Sequence, residues 1–245
     1  MTADLTDAKG YGHTDGNFKF GAGIVFSEAH KYAADNNRFI SSGWASTVGV
    51  IGWSIGGGHG PHAPSRGTGV DNILEVDIVI GNGTFITANA THYSDLYWAI
   101  RGGGGSTWGI ITAITYRAHQ IPIGGFSFQV MQWIGNSCEP SLSNLNSFID
   151  NHSTWMLSLS NKWGGLSFFT PTKSTDPLVC GATWTIDMIY IYQGPSSDEE
   201  FTTGIANLTG TLAPSSSNTQ SFANWYQRVG PQPLEPIWPF ESITK

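Results

Sequence analysis

Charged side chains make up only 12% of the 245 residues. Lysine and arginine number 11 against 18 acidic residues, a formal net charge of -7. So few cations leave no basic patch or stripe, which argues against a nucleic-acid partner and against an anionic lipid surface. No run approaches the roughly 18 consecutive apolar residues of a membrane-spanning helix. Met1 to Leu5 lack the basic start and apolar centre of a signal peptide. Cysteine is limited to Cys138 and Cys180. Neither has His or Cys at ligand spacing, which argues against zinc, and whether the two pair stays open.

What is present points to a folded enzyme. Hydrophobic content is 40%, far from a disordered chain. The length suits one large domain or two modest ones, with enough chain to bury a core without staples. Glycine reaches 31 residues, nearly twice the usual share of roughly 7%, with no collagen-like period. Tryptophan is also abundant, at 10. Weak charge with much Gly and Trp reads as a secreted protein. Four N-x-[ST] acceptors, at Asn82, Asn89, Asn151 and Asn207, add weak support, because their number is close to chance. Secretion without a leader is a tension that resolves if the chain is a fragment.

Periodicity gives a mixed order of elements. Asn17 to Gly23 reads as a strand, and Ser27 is expected to cap a helix over Glu28 to Asn36. No regular element fits Gly43 to Gly60, although its interleaved Val48, Val50, Ile51 and Ile55 predict an ordered loop. Leu74 to Ile80 alternates as a half-buried strand, Gly81-Asn82-Gly83 turns, and Thr84 to Thr87 returns. Ser94-Asp95 is expected to cap a helix over Leu96 to Ile100. Further strands are predicted over Gly109–Arg117, Phe126–Trp133, Leu166–Phe169 and Ala182–Tyr192. Helices are predicted over Leu142–Trp155 and Ser197–Leu208. Hairpins with separate helices predict an α+β fold. Pro122 and Gly124-Gly125 mark a boundary between residues 1–122 and 123–245.

Gly52-Trp53-Ser54-Ile55-Gly56 matches G-x-S-x-G, the nucleophile elbow. The elbow requires a helix directly after the serine, and Gly56 to Pro61 is poor helix material. His59 and His62 make H-x-x-H, but no carboxylate is close before Asp71, so a structural or solvent-facing His62 is favoured. The glycine loops are embedded between apolar elements, unlike flexible linkers. Glycine lets backbone N–H groups crowd an anionic ligand. No G-x-G-x-x-G follows a strand, so a nicotinamide fold is not indicated. A phosphate-bearing cofactor held by loops is the physical inference.

Three stretches carry a resemblance: GWASTVGVIGWSIGGGHGP at 43–61, GVDNILEVDIVIGNGTFITA at 69–88, and SDLYWAIRGGGGSTWGIITAITYR at 94–117. In order and spacing they resemble FAD-linked oxidases of the vanillyl-alcohol-oxidase superfamily, in particular the berberine-bridge-enzyme-like group. The resemblance covers about residues 18–122. It implies that 1–122 is the second lobe of a PCMH-type FAD-binding domain and that 123–245 is part of an antiparallel-sheet substrate domain. The first lobe, with its Arg-x-Gly-Gly-His loop and covalent histidine, would lie outside this chain. The chain alone is therefore expected to hold no covalent flavin and to be inactive.

The resemblance also implies site residues. Gly43, Ala45, Ser46, Val48 and Gly49 fall on the loop that contacts the flavin ring and ribityl chain. Ala45 stands where some members bond a cysteine to the ring, so a second covalent link is excluded. Gly57, Gly58, His59 and Gly60 match the loop approaching the ribityl and pyrophosphate, and Gly109 and Ile110 the segment reading the adenine. Asp71-Asn72 and Asp95 to Trp98 match signatures that look structural, with Trp98 expected in the core. Arg101 meets either a phosphate or a buried carboxylate. The implied reaction takes hydride from an alcohol, sugar or similar small substrate to FAD and passes electrons to O2. No base is assigned. Tyr190 or Tyr192 on a flavin-facing side is conceivable, but sheet packing is their simpler role. The alternatives are a serine hydrolase using Ser54 and a family member without flavin.

Overall fold

The computed structural model describes residues 6–7, 16–105, 107–138, 140–173, 182–210 and 212–229. Met1 to Leu5, Cys180 and the tail from Pro231 lie outside them. In chain order the strands are β1 (Thr6–Asp7), β2 (Asn17–Gly21), β3 (Arg38–Phe39), β4 (Ile73–Ile80), β5 (Phe85–Asn89), β6 (Gly109–Arg117), β7 (His119–Gln120), β8 (Phe126–Asn136), β9 (Trp163–Lys173), β10 (Ala182–Tyr192) and β11 (Ser216–Phe222). The helices are α1 (Phe26–Asp35), α2 (Val50–Ile55), α3 (Ala63–Arg66), α4 (Ser94–Ile100), α5 (Ser141–Ser158), α6 (Glu199–Thr209) and α7 (Tyr226–Val229).

Apolar alternation in β2, β4 and β6 builds one face of a five-stranded antiparallel sheet in the order β1-β2-β6-β4-β5. Phe18, Phe20, Val76, Ile78, Ile114 and Tyr116 bury that face against Phe26, Ala29 and Ala33 of α1, Val50 and Ile51 of α2, and Tyr97 and Ile100 of α4. The second sheet is four-stranded and antiparallel, in the order β11-β8-β10-β9. Trp133, Trp184, Ile186, Met188, Tyr190 and Tyr192 pack on Phe148 and Trp155 of α5 and on Phe201 and Leu208 of α6. The opposite face carries Phe128, Ile189 and Ile191, which join Phe39, Phe126 and Trp225 in a third cluster. The predicted α+β class with antiparallel sheets is the fold observed.

That third cluster joins the four-stranded sheet to β3, which pairs with β7 in a separate two-stranded sheet. The His62 ring lies 5.1 Å from Phe39, 5.3 Å from Phe126 and 4.6 Å from Trp225. Trp225 also donates its indole N–H to Ser42 Oγ at 3.2 Å. Cys138 is disulfide-bonded.

Several local expectations are corrected. The start of α1 is set by Glu28, whose carboxylate accepts the Val25 N–H at 3.2 Å; Ser27 lies inside the helix. Gly43 to Gly60 contains the helix α2. Neither Ser94 nor Asp95 caps α4 with its side chain; both lie in its first turn, behind Tyr93 in a left-handed conformation. Trp98 is 78% exposed, not core.

Buried histidines make the fold acid-sensitive, His30, His62 and His119 most strongly and His152 in the same direction. Burial pushes His30, His62 and His119 from 6.5 down to about 3. Among the described residues His30 and His62 have no hydrogen-bond partner on either nitrogen, whereas His119 Nε2 meets Asn72 Oδ1 at 2.8 Å. A depressed histidine pKa means that the unfolded chain binds protons the folded chain refuses. Stability is then lost progressively as pH falls from 6.5 towards 3, by up to about 1.4 kcal/mol per pH unit for each such group. Urea titrations at pH 7 and pH 4 should show a smaller loss for His62→Phe than for wild type. Equal losses in the two proteins would refute the assignment of His62 as a buried neutral ring.

Candidate functional site

The segment from Ser41 to His62 is held down along its length. Phe26 N–H donates to Val48 O at 3.0 Å, Ser27 N–H to Ser46 O at 2.8 Å, and Val50 N–H to Ile24 O at 3.1 Å. Gly69 and Val70 N–H groups donate to Gly58 and Gly57 carbonyls at 2.7 and 2.9 Å. This is an ordered loop, as its interleaved apolar residues predict. Ala45, Val48, Gly49 and His59 are exposed, Gly43, Ser46 and Gly57 are half-buried, and Gly58 and Gly60 are buried.

The two buried glycines are required by the chain itself. A Cβ on Gly58 would lie 2.7 Å from the Trp53 ring and 2.8 Å from Gly69 Cα, and one on Gly60 would overlap the Ser42 carbonyl oxygen. Gly49 is different. Its nearest neighbour for an added Cβ is Ile24 O, at 4.0 Å. Gly49 is exposed, while its carbonyl accepts the Trp53 N–H at 3.2 Å. A side chain at Gly49 therefore has room, while one at Gly58 would first displace Trp53.

Two pockets flank this segment. The first, of about 490 Å³, contains Gly109 and Ile110 together with Ile51, Gly52 and Ile55 of α2 and Trp108. Gly109 has φ +153, and a Cβ there would overlap the Val79 carbonyl oxygen across the β4–β6 ladder. Ile110 is 74% exposed and Trp108 is exposed. The second pocket, of about 510 Å³, is lined by His59 and Gly60 together with Leu159, Ser160, Trp163, Gly164 and Tyr190. No Lys, Arg, Asp or Glu lines either pocket. Residues 51–60 run from one uncharged pocket to the other.

Strand β9 docks on this loop through a missing side chain. A Cβ on Gly164 would overlap the Pro61 carbonyl oxygen. The chain from Ser160 to Lys162 is tied back to α6. Lys162 Nζ lies 3.0 Å from Glu200 Oε2 and 3.1 Å from the Tyr192 hydroxyl, which donates to Asp198 Oδ2 at 2.6 Å. Burial and the bond to Asp198 push the Tyr192 phenol above its ordinary value.

The tyrosines take the packing role, although Tyr190 also lines the second pocket. Tyr190 and Tyr192 point to the α5 and α6 side, because Ile189 and Ile191 occupy the alternate face. The Tyr190 hydroxyl is 2.9 Å from Ser167 Oγ and 3.2 Å from His152 Nε2. Burial raises its pKa, so at neutral pH it is a phenol, not a base.

Asp71 and Asn72 are structural, as expected. Asp71 Oδ2 accepts Thr68 N–H and Oγ1–H at 2.9 and 2.6 Å, and Asn72 Nδ2 donates to the Arg66 and Thr68 carbonyls at 3.0 and 2.7 Å. Arg101 donates to Val70 O at 3.1 Å and lies 3.9 Å from the exposed Asp71 carboxylate, so its ion-pair partner is not buried. Ser54 is fully buried and donates to Val50 O at 2.7 Å, inside α2. A helix through the serine is the reverse of an elbow. His62 is packed among aromatic rings while His59 is exposed, so H-x-x-H forms no metal pair.

Sequence reasoning missed Trp108, Gly52 and the β9 contribution to the second pocket. The Gly164-Gly165 pair inside a strand was a usable sign of close backbone approach.

A family model described as an FAD binding domain matches residues 1–89. The FAD-linked oxidoreductase ffsJ of Aspergillus flavipes is 30% identical over 216 residues, covering 84% of this chain and 34% of that protein. The VAO-type flavoprotein MtVAO615 from Myceliophthora thermophila C1 superposes with a TM-score of 0.75 at 23% identity, over 94% of this chain and 41% of that one. Physcomitrella patens BBE-like 1 gives a TM-score of 0.65 at 26% identity, over 89% and 43%. The chain spans between 17% and 34% of the length of the first curated relatives it matches.

Gly164→Ala should lower stability by about 1–3 kcal/mol through overpacking against Pro61. Gly52→Ala, with open space at its Cβ, should leave stability unchanged or raise it by up to about 1 kcal/mol. Thermal melts of the two variants check this contrast, and equal melting temperatures would refute the docking contact.

Proposed function

That the chain belongs to the FAD-linked oxidoreductases of the vanillyl-alcohol-oxidase superfamily, with FAD as cofactor, is the premise from which we propose an oxidase reaction on a small alcohol, sugar or similar substrate. The single observation that carries the reading is the path of residues 51–60. Ile51, Gly52 and Ile55 line one uncharged pocket, and His59 and Gly60 line the other. An elongated cofactor laid along this segment would have an apolar slot at one end and a substrate-sized space at the other.

Trp108, Gly109 and Ile110 would hold the adenine end by flat apolar contact. Gly49, with the exposed Ala45 and Val48 beside it, would offer backbone to the flavin end. FAD supplies a hydride acceptor and, on reoxidation by O2, yields hydrogen peroxide. The chain's own part is to orient the substrate and exclude water. His59, Ser160 and Trp163 line the second pocket, where His59 and Ser160 would offer polar groups to a substrate hydroxyl. No residue of this chain is assigned as proton acceptor. Residues 1–122 act in this scheme as an FAD-binding unit and 123–245 as a substrate unit, and the protein is exported.

Buried Ser54, with its hydroxyl committed to Val50 O, gives the hydrolase reading no support. The test is expression of the full-length gene product. Purified protein should be yellow, with about one FAD per chain, and should form peroxide with members of an alcohol and sugar panel. Gly49→Val should lose most of its flavin while keeping its secondary structure. A colourless protein that does not take up FAD would end this reading, as would flavin content in Gly49→Val equal to wild type for the role of that loop.

A further inference from the structure

The four N-x-[ST] acceptors stand in very different places. Asn82 sits in the turn between β4 and β5, and Asn82, Gly83 and Thr84 are all exposed. Its Oδ1 accepts the Thr84 N–H at 2.9 Å. No described residue hydrogen-bonds its Nδ2, the atom to which a glycan is joined. Phe85, the first residue of β5, is 58% exposed beside the turn.

The other three acceptors are engaged. Asn89 is 4% exposed. Its Oδ1 accepts from Thr91 N–H, Thr91 Oγ1–H and His92 N–H at 3.0, 3.1 and 2.9 Å, and its Nδ2 donates to Glu75 Oε2 at 3.1 Å. Asn151 is half-buried on α5 and donates to the Asn207 carbonyl at 3.3 Å across the α5–α6 seam, with His152 buried next to it. Asn207 is exposed, but the middle residue of its acceptor sequence, Leu208, is fully buried.

We propose that Asn82 is an N-glycosylation site of this protein and that Asn89 is not. The statement rests on the reading of the protein as exported. The donor is a lipid-diphosphate-linked oligosaccharide. Its sugar C1 bonds to Asn82 Nδ2, the bond from C1 to the diphosphate oxygen breaks, and one amide proton is released. Nothing is oxidised or reduced. The turn tolerates the added bulk because no core residue lies within it, and the first sugars would cover Phe85. At Asn89 the same bond would replace the donor to Glu75 and force a sugar into a buried corner, so a folded chain carries none there.

The experiment uses the full-length protein secreted from yeast behind a yeast leader, with bound flavin as the sign of folding. Peptides are released after enzymatic deglycosylation in heavy-oxygen water, which marks each formerly glycosylated Asn as a labelled Asp. Label at Asn82 and none at Asn89 is the expected result. Asn82→Gln and Thr84→Ala should each remove one glycan's mass from the intact protein and keep the flavin. An unlabelled Asn82, or a labelled Asn89, in flavin-loaded protein overturns the proposal. Because the leader forces entry to the secretory route, those outcomes are separate from failure of the export reading. That reading is judged by whether the natural gene product leaves its own cells.

Discussion

Two backbone approaches that tolerate no side chain govern the junction between the sheets. Gly60 abuts the Ser42 carbonyl, and Gly164 abuts that of Pro61. Together they sandwich the 57–62 loop between the start of the first unit's core and the edge strand β9. His59 is consequently aimed at the second pocket while His62, three residues on, is driven into the ring cluster of Phe39, Phe126 and Trp225. A Cβ at either glycine would widen the gap and separate both histidines from their neighbours. Rigid packing of this kind transmits small shifts instead of absorbing them.

Much of the fold was legible where pattern and burial agree. The bounds of β6 and β10 match the sequence reading because β-branched and alternating residues there face a core. Helix α2 was hidden. Its six residues are flanked by glycines, and it persists because Val50, Ile51 and Ser54 are buried, not because its sequence favours a helix. Strand β11, Ser-Ser-Asn-Thr-Gln-Ser-Phe, shows no apolar alternation and is exposed almost throughout. Its place is set by backbone pairing to β8, which leaves no trace in composition. Trp98 looked like core by residue type alone, yet lies on the outer side of α4 behind buried Tyr97 and Ile100.

The site was legible in a different way. Glycine runs and family-like spacing located the loops, and the structure separates their glycines by cause. Gly58 and Gly60 are spaces filled by Trp53 and Ser42, whereas Gly49 opens outward. A sequence cannot distinguish these, because both leave the same letter. The strand over Leu166–Phe169 was predicted, but the contribution of β9 to the second pocket was missed, because its contact with the loop joins residues about a hundred positions apart.

The scarcity of cations then acquires a physical meaning. Neither pocket presents a Lys, Arg, Asp or Glu side chain, and Arg101, which follows α4 in the first unit, is held by Val70 O and the Tyr97 face. On the function proposed above, contacts from these pockets to FAD would be made by apolar side chains, main chain and uncharged polar groups such as Thr107, His59, Ser160 and Asn161. The two phosphate charges must be met by main-chain N–H groups or by residues outside those lining the pockets, since a buried anion without donors is too costly to hold. Backbone donors have fixed positions and do not titrate, so this half of a flavin site needs glycine to admit the ligand more than it needs charge to attract it. In the proposed function, that is how a chain with so few Lys and Arg would serve a dianionic cofactor.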